Sequence, residues 1–193
     1  MKATDVLTEE HRVIERVLNS LERATNRLEN GEAVRPEFFL SAVDFIRGFA
    51  DGCHHQKEEG VLFKHMEAQG IPVQGSPIGV MLSEHELGRQ YTRELHSAAQ
   101  GMQSGDPKAL QQAILSGRSY VALLRQHIFK EDKILFPMAV HVIPSDQHDS
   151  VWEGFEHVEH AETGEGVHEK YIALANALEA EMNNTSEVSD ANT

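Results

Sequence analysis

His54-His55-Gln56-Lys57-Glu58-Glu59-Gly60-Val61-Leu62-Phe63 returns later in the chain as His127-Ile128-Phe129-Lys130-Glu131-Asp132-Lys133-Ile134-Leu135-Phe136. In register, the two stretches share His, Lys, Glu, a second acid, an aliphatic residue, Leu and Phe. A shorter pair lies upstream of each, Glu10-His11 before the first and Glu84-His85 before the second, at spacings that differ by one residue. The chain therefore reads as a duplicated helical hairpin with an equivalent histidine on every helix.

The apolar pattern around these segments has the three-and-four spacing of helices and no sustained alternation of the strand type. Thr4 is placed to cap a first helix whose stripe reads Leu7, His11, Ile14, Leu18, Leu21 and Leu28, ending at Asn30-Gly31. Pro36 opens a second helix that runs to about Ala68, ahead of Gly70 and Pro72. Ser76-Pro77 opens a third, to about Gly101, and Asp106-Pro107 a fourth, to Phe136, where Pro137 discourages extension. The expected fold is all-α: an up-down-up-down four-helix bundle over residues 1–140 with a C-terminal helical extension over 141–182. Within that extension Ser145 is placed to cap a short helix through Glu162, and a last helix runs from Val167 to Met182. Residues 183–193 are polar and are expected to be a disordered tail.

Composition narrows the function. Of 193 residues, 17 are Lys or Arg and 31 are Asp or Glu, a formal net charge of −14. That balance argues against nucleic acid or an acidic membrane surface as partner. No apolar run is long enough to span a bilayer, the N-terminus lacks a signal-peptide pattern, and Cys53 is the single cysteine. A cytoplasmic location is expected. Against this background 12 histidines stand out, because imidazole is the commonest side-chain metal ligand.

Residues four apart share one helix face, so His54 and Glu58 project together, as do His127 and Glu131. His55 and Glu59 have the same spacing, but Ile128 stands where a second copy of His55 would be, which favours His54 and Glu58. In an antiparallel bundle His11 and His85 meet these pairs in the core. Four imidazoles and two carboxylates then share an apolar interior, and buried carboxylates are costly unless paired or bound to metal. Two cations bridged by the carboxylates resolve the conflict. Imidazole and carboxylate without thiolate suit iron or manganese better than copper, and zinc is compatible.

With its two His-x-x-Lys-Glu-acid segments, the chain resembles the hemerythrin-like, or HHE cation-binding, family over about residues 1–140. The resemblance implies a non-haem di-iron centre with an oxo or hydroxo bridge, and His11, His54, Glu58, His85, His127 and Glu131 as its ligands. It further implies that His11 and His127 serve one iron and His54 and His85 the other. Asp132 has the spacing from His127 found in the oxygen carriers of marine worms and is the alternative to Glu131. Those carriers have two histidines one turn apart on the third helix, whereas Met81 and Arg89 flank His85 here. The ligand set is more similar to bacterial di-iron proteins of nitrosative stress and iron-centre repair, whose N-terminal cysteine segment this chain lacks. The implied function is to bind or react with a small oxidant, namely dioxygen, peroxide or nitric oxide. Its rivals are an oxygen or iron sensor or store, and a zinc-stabilised structural bundle.

Other residues carry weaker readings. Glu15 is a solvated neighbour of His11 or a support for it. Tyr120, two turns before His127, is a core residue or a donor near the centre. Cys53 is a small buried hydrophobe, Arg89 pairs with an acid, and His65, His96, His141 and His148 lie at the surface. The run Glu156-His157-Val158-Glu159-His160-Ala161-Glu162 reads as a charged solvated face in preference to a second metal site, and the extension as a cover on the bundle or a contact surface.

Overall fold

A computed structural model of the chain describes residues 3–164 and 166–184, whose regular structure is all helical, with no strand among them. α1 (Ala3–Glu29) buries the expected stripe of Leu7, His11, Ile14, Leu18, Leu21 and Leu28. Thr4 lies inside this helix and does not cap it. The turn that ends it places Gly31 at φ +81°, a conformation that only glycine adopts without strain. α2 (Pro36–Phe45) starts on Pro36 and passes into a π-helical segment, Ile46–His55, then a second, Glu58–Leu62, and finally α3 (Phe63–Ala68). α4 (Pro77–Ser104) is capped by Ser76, whose hydroxyl oxygen accepts from the Ile78 N–H at 3.2 Å. α5 (Ala109–Lys130) continues through a π segment, Glu131–Leu135, into α6 (Phe136–Val142).

The all-helical class holds, but the uninterrupted rods expected from the sequence are mixtures of α and π turns. Both copies of the repeat switch to π geometry at the same place, beginning at Glu58 and at Glu131. A wider turn with i→i+5 bonds leaves little trace in an apolar pattern over five residues, and such segments favour functional sites. Helix also continues past Pro137, contrary to expectation. Pro137 falls in the first turn of α6, directly after the π segment, where its missing N–H is tolerated.

Two apolar clusters sit at either end of the histidine layer. One contains Ile14, Leu18, Leu95 and Leu124, and the other Leu7, Leu62, Met81 and Leu135. Each helix of the repeat crosses from one cluster to the other, and its histidine falls at the crossing.

The extension comprises a 3-10 turn (Ser145–Gln147), α7 (His148–His157), a π segment (Val158–Thr163) and α8 (Val167–Asn184). Ser145 does not cap by its side chain. Asn183 and Asn184 of the expected tail belong to α8, and residues 185–193 lie outside those described. α8 lies along α1 and α2, with Arg16–Glu179 and Arg35–Glu181 ion pairs of 2.6 Å at its edges. Its Tyr171 packs edge-on against Phe45 and closes over Gly48, where a Cβ would fall 1.9 Å from the Tyr171 hydroxyl oxygen. No helix among the described residues is long and apolar enough to cross a membrane.

The Gly48–Tyr171 contact predicts that Gly48→Ala lowers stability by ~1–3 kcal/mol through overpacking. In a Tyr171→Ala background the same change should cost less than ~0.5 kcal/mol. Urea denaturation of the four proteins measures this, and additive effects would show that the extension does not seat there.

Candidate metal centre

The six residues expected from the repeat converge in one buried layer. His11, His54, Glu58, His85, His127 and Glu131 are each at most 1% exposed. Their local placement follows from the helices: His127 and Glu131 stand one turn apart at the α5–π junction, with Nε2 2.9 Å from Oε1. His54 and Glu58 repeat the relation at 3.8 Å.

Every one of the four imidazoles is held from behind by a carboxylate on Nδ1. His54 Nδ1–H donates to Glu10 at 2.9 Å, His127 to Glu84 at 3.0 Å, His11 to Asp132 at 2.8 Å and His85 to Glu59 at 2.7 Å. The pattern obeys the repeat: the acid preceding each upstream histidine serves the downstream one, and the acid following each bridging Glu serves the upstream histidine of the other copy. Because an ionised carboxylate only accepts, these contacts place the proton on Nδ1 and turn a lone pair on Nε2 inward. Lys57 and Lys130, at matched positions, tie down the same acids: Lys57 Nζ is 2.5 Å from Glu10 Oε1, and Lys130 bonds Glu84.

The inward atoms are arranged around two points. His11 and His54 face each other with Nε2 atoms 3.0 Å apart, and His85 and His127 do the same at 3.0 Å. Glu131 reaches both pairs, with Oε2 3.2 Å from His11 and Oε1 2.9 Å from His127. Glu58 also reaches both, with Oε1 3.8 Å from His54 and Oε2 3.4 Å from His85. None of the four carboxylate oxygens makes a hydrogen bond of acceptable geometry. Buried, charged and unpartnered oxygens of this kind cost several kcal/mol unless a cation is present.

The donor set fits metal. Two nitrogens bound about 2.1 Å from one ion at right angles lie about 3 Å apart, which is the separation within each histidine pair. The grouping also corrects the pairing implied by the resemblance: His11 goes with His54 and His85 with His127, because the two histidines of one hairpin face each other across adjacent helices.

Without a bound cation the layer recruits protons instead. Burial alone would lower the pKa of His11, but its hydrogen bond to Asp132 and the nearby Glu131 carboxylate raise it from 6.5 to about 9. For His85, burial is likewise outweighed by Glu131, Glu58 and Glu59, and the value rises to about 11. Burial pushes Glu10 up, yet the His54 hydrogen bond and Lys57 bring it down to about 2. Glu131 is buried too, but the facing charge of His127 and the close approach of the His11 and His85 imidazoles hold it well below the carboxylate range.

His55 is the residue that the repeat led away from. It is 5% exposed and lies with Glu58, His85 and His127 in one group of ligating atoms. Its ring stacks on His85 at 3.8 Å with a 15° tilt. The stacking lays the His55 ring over His85, at the edge of the His85–His127 pair. The available signal was the His-His doublet itself. In a π segment neighbouring residues turn less, and both imidazoles stay inward.

The remaining residues fall into place. Asp132 and Glu59, the alternative acids, sit on the outer nitrogens of His11 and His85. Glu15 pairs with Arg12 at 2.7 Å on the surface. Arg89 pairs with Asp51 and Glu59 at 2.8 and 2.7 Å. Cys53 is buried, and burial pushes its thiol up. From the C-terminal run, Glu159 reaches Lys57 at 2.7 Å. Glu10, Glu159 and His168 form a further acidic group, but the Lys57 ammonium already serves as its cation. His65, His96, His141 and His148 stay away from the layer, half-buried or exposed.

Fold and layer together define a cation-binding helical domain of the hemerythrin type. The chain belongs to the hemerythrin HHE cation-binding domain family, which it matches over residues 2–139. Relatives include uncharacterized proteins of Mycobacterium bovis and of two Mycobacterium tuberculosis strains, each 25% identical over 163 residues, or 84% of this chain. The chain spans 63% of the length of those relatives. No solved structure matches it.

The raised values of His11 and His85 set a pH dependence. A folded pKa above the unfolded 6.5 gives stability that is complete below pH 6.5 and is lost as pH rises through about 9 and then about 11. The chelated protein should therefore lose melting temperature between pH 8 and 10, while its affinity for added metal rises as protons leave the imidazoles. A melting temperature that climbs over that range would contradict the assignment.

Proposed function

We propose that this protein is a non-haem di-iron protein that binds or reacts with a small oxidant: dioxygen, peroxide or nitric oxide. His11 and His54 would hold one iron, His85 and His127 the other, with Glu58 and Glu131 shared. The observation that carries the reading is the position of those two carboxylates, each offering one oxygen to each histidine pair and neither having a hydrogen-bond partner. Family membership supports metal binding, and the all-nitrogen-and-oxygen donor set favours iron or manganese over copper. A four-helix bundle with the extension laid along it accounts for how two hairpins present their ligands to one layer.

When bound, paired irons supply Lewis acidity and one-electron redox steps. The protein's own part is to fix and shield. Asp132, Glu10, Glu59 and Glu84 orient the four imidazoles, and the apolar clusters at either end of the layer keep bulk water out. Met81 is buried among apolar residues and Arg89 is engaged by Asp51 and Glu59, so neither replaces the second third-helix histidine of the oxygen carriers. That favours onward reaction over reversible carriage. A sensor is the second reading, and one chain of contacts favours it: Glu159 of the extension touches Lys57, which touches Glu10, which holds His54.

Protein reconstituted with ferrous iron under anaerobic conditions should hold two irons per chain with the Mössbauer signature of a coupled pair, and Glu58→Ala and Glu131→Ala should each abolish the coupling. It should oxidise rapidly in air and consume peroxide or bind nitric oxide. Tight zinc that iron does not displace would remove the di-iron reading. A persistent oxygen adduct reversed by removing oxygen would restore carriage, and altered hydrogen exchange in α8 on oxidation would favour the sensor.

A further inference from the structure

One outer surface of the first hairpin is covered where the same surface of the second is bare. Matching Glu10 to Glu84 aligns Val6 with Val80 and Leu7 with Met81, and the two repeats align Lys57 with Lys130, Val61 with Ile134 and Leu62 with Leu135. In the first copy α7 packs on α1 and on Glu58–Leu62. Its Val151 and Phe155 join Leu7 and Leu62 in one apolar cluster, and Glu159, in the π segment that follows, meets the Lys57 ammonium at 2.7 Å. Between them Gly154 sits on Val61, where a Cβ would fall 2.6 Å from Val61 Cγ1 and leave no room for a larger residue.

In the second copy the matching surface, formed by the start of α4 and the π segment Glu131–Leu135, borders an open groove of about 1010 Å³ together with residues 73–76. Val80 is 45% exposed and Ile134 48%, whereas Val6 and Val61 are half-buried. Lys130 lies in the groove and pairs with Glu84 alone among the described residues, while Lys57 has both Glu10 and Glu159. Neighbouring aliphatic side chains left bare in a groove mark a place where another apolar surface seats. Duplication shows what shape that surface has, because the same scaffold already holds a helix on its other copy.

We propose that the groove between α4 and Glu131–Leu135 is a docking site for an amphipathic helix of a partner protein, one with two apolar side chains four residues apart, a small residue just before the second, and an acid one turn beyond it. The apolar pair fills the groove over Val80 and Ile134, and the acid meets Lys130 and fixes the direction of the helix. A second copy of this chain suits the groove less well, because a net charge of −14 opposes the close approach of two copies. Lys130 bonds Glu84, and Glu84 accepts from His127, so the docked acid completes for this histidine pair the chain of contacts that Glu159 gives the other. The groove is the same whichever ion the layer holds.

The probe is a synthetic peptide of residues 145–163, held helical by a lactam bridge on its solvent face, since that segment already fits the matching surface. It is titrated into the isotope-labelled full chain and followed by amide chemical shifts; the chain's own segment is tethered and keeps the first surface occupied. Saturable binding with shifts centred on Val80 and Ile134 is expected. Val80→Glu and Ile134→Glu, both at exposed positions, should keep the native melting temperature and each weaken the peptide by about tenfold or more. Within the peptide, Phe155→Ala should cost about tenfold and Glu159→Gln about threefold. Absence of saturable shifts at Val80 and Ile134 would overturn the site, as would a peptide affinity unchanged in both chain variants. Equal affinity of the Glu159→Gln peptide would overturn the acid. Self-association of the peptide-free chain that Ile134→Glu abolishes would make a second copy the occupant and overturn the partner helix.

Discussion

Two carboxylates, Glu58 and Glu131, lie fully buried in the middle of the helices, and the rest of the molecule is organised around that fact. Taking even one unpaired carboxylate out of water costs several kcal/mol, and like charges close together cost more. Four inward imidazoles partly answer the charge, and each is itself oriented by an outer acid. Lysines at matched positions answer two of those acids. Charge therefore alternates outward from the centre, from carboxylate to imidazole to carboxylate to ammonium. The arrangement is balanced when cations occupy the middle, and the strongly raised pKa values of His11 and His85 are what the same field does with protons.

Much of this was legible in the sequence because duplication prints every constraint twice. The helices, the six converging residues and the choice of Glu58 over Glu59 follow from matching His54 to His127. The partners of the outer nitrogens stood inside the quoted repeats as Glu10, Glu84, Glu59 and Asp132, but their roles cross between hairpins, and no linear spacing reveals a contact across the bundle. The π segments were invisible because they shift side chains by less than the width of an apolar stripe. His55 was set aside because the comparison with Ile128 treats the two copies as equivalent, and here they are not. The pairing of His11 with His54 required the actual approach of neighbouring helices.

The points where the copies differ give the molecule its direction. A cavity of about 160 Å³, lined by Leu124 and Tyr120 as well as by Arg89 and Asp51, lies against His55, His85 and His127. The extension adds a further difference: Glu159 covers Lys57, which is fully buried, whereas its counterpart Lys130 is 31% exposed. One histidine pair is thus braced through Glu10 by the C-terminal helices, and the other lies beside the cavity.

The central claim is that the two histidine pairs form one centre through shared carboxylates and are not two independent sites. X-ray absorption at the iron edge of the two-iron protein tests this most directly. The account predicts metal–metal scattering from a neighbour within about 4 Å, present in the unaltered protein and lost when Glu131 is replaced by Ala. Saturation of the protein by a single ion, or two bound ions with no metal–metal scattering, would contradict it.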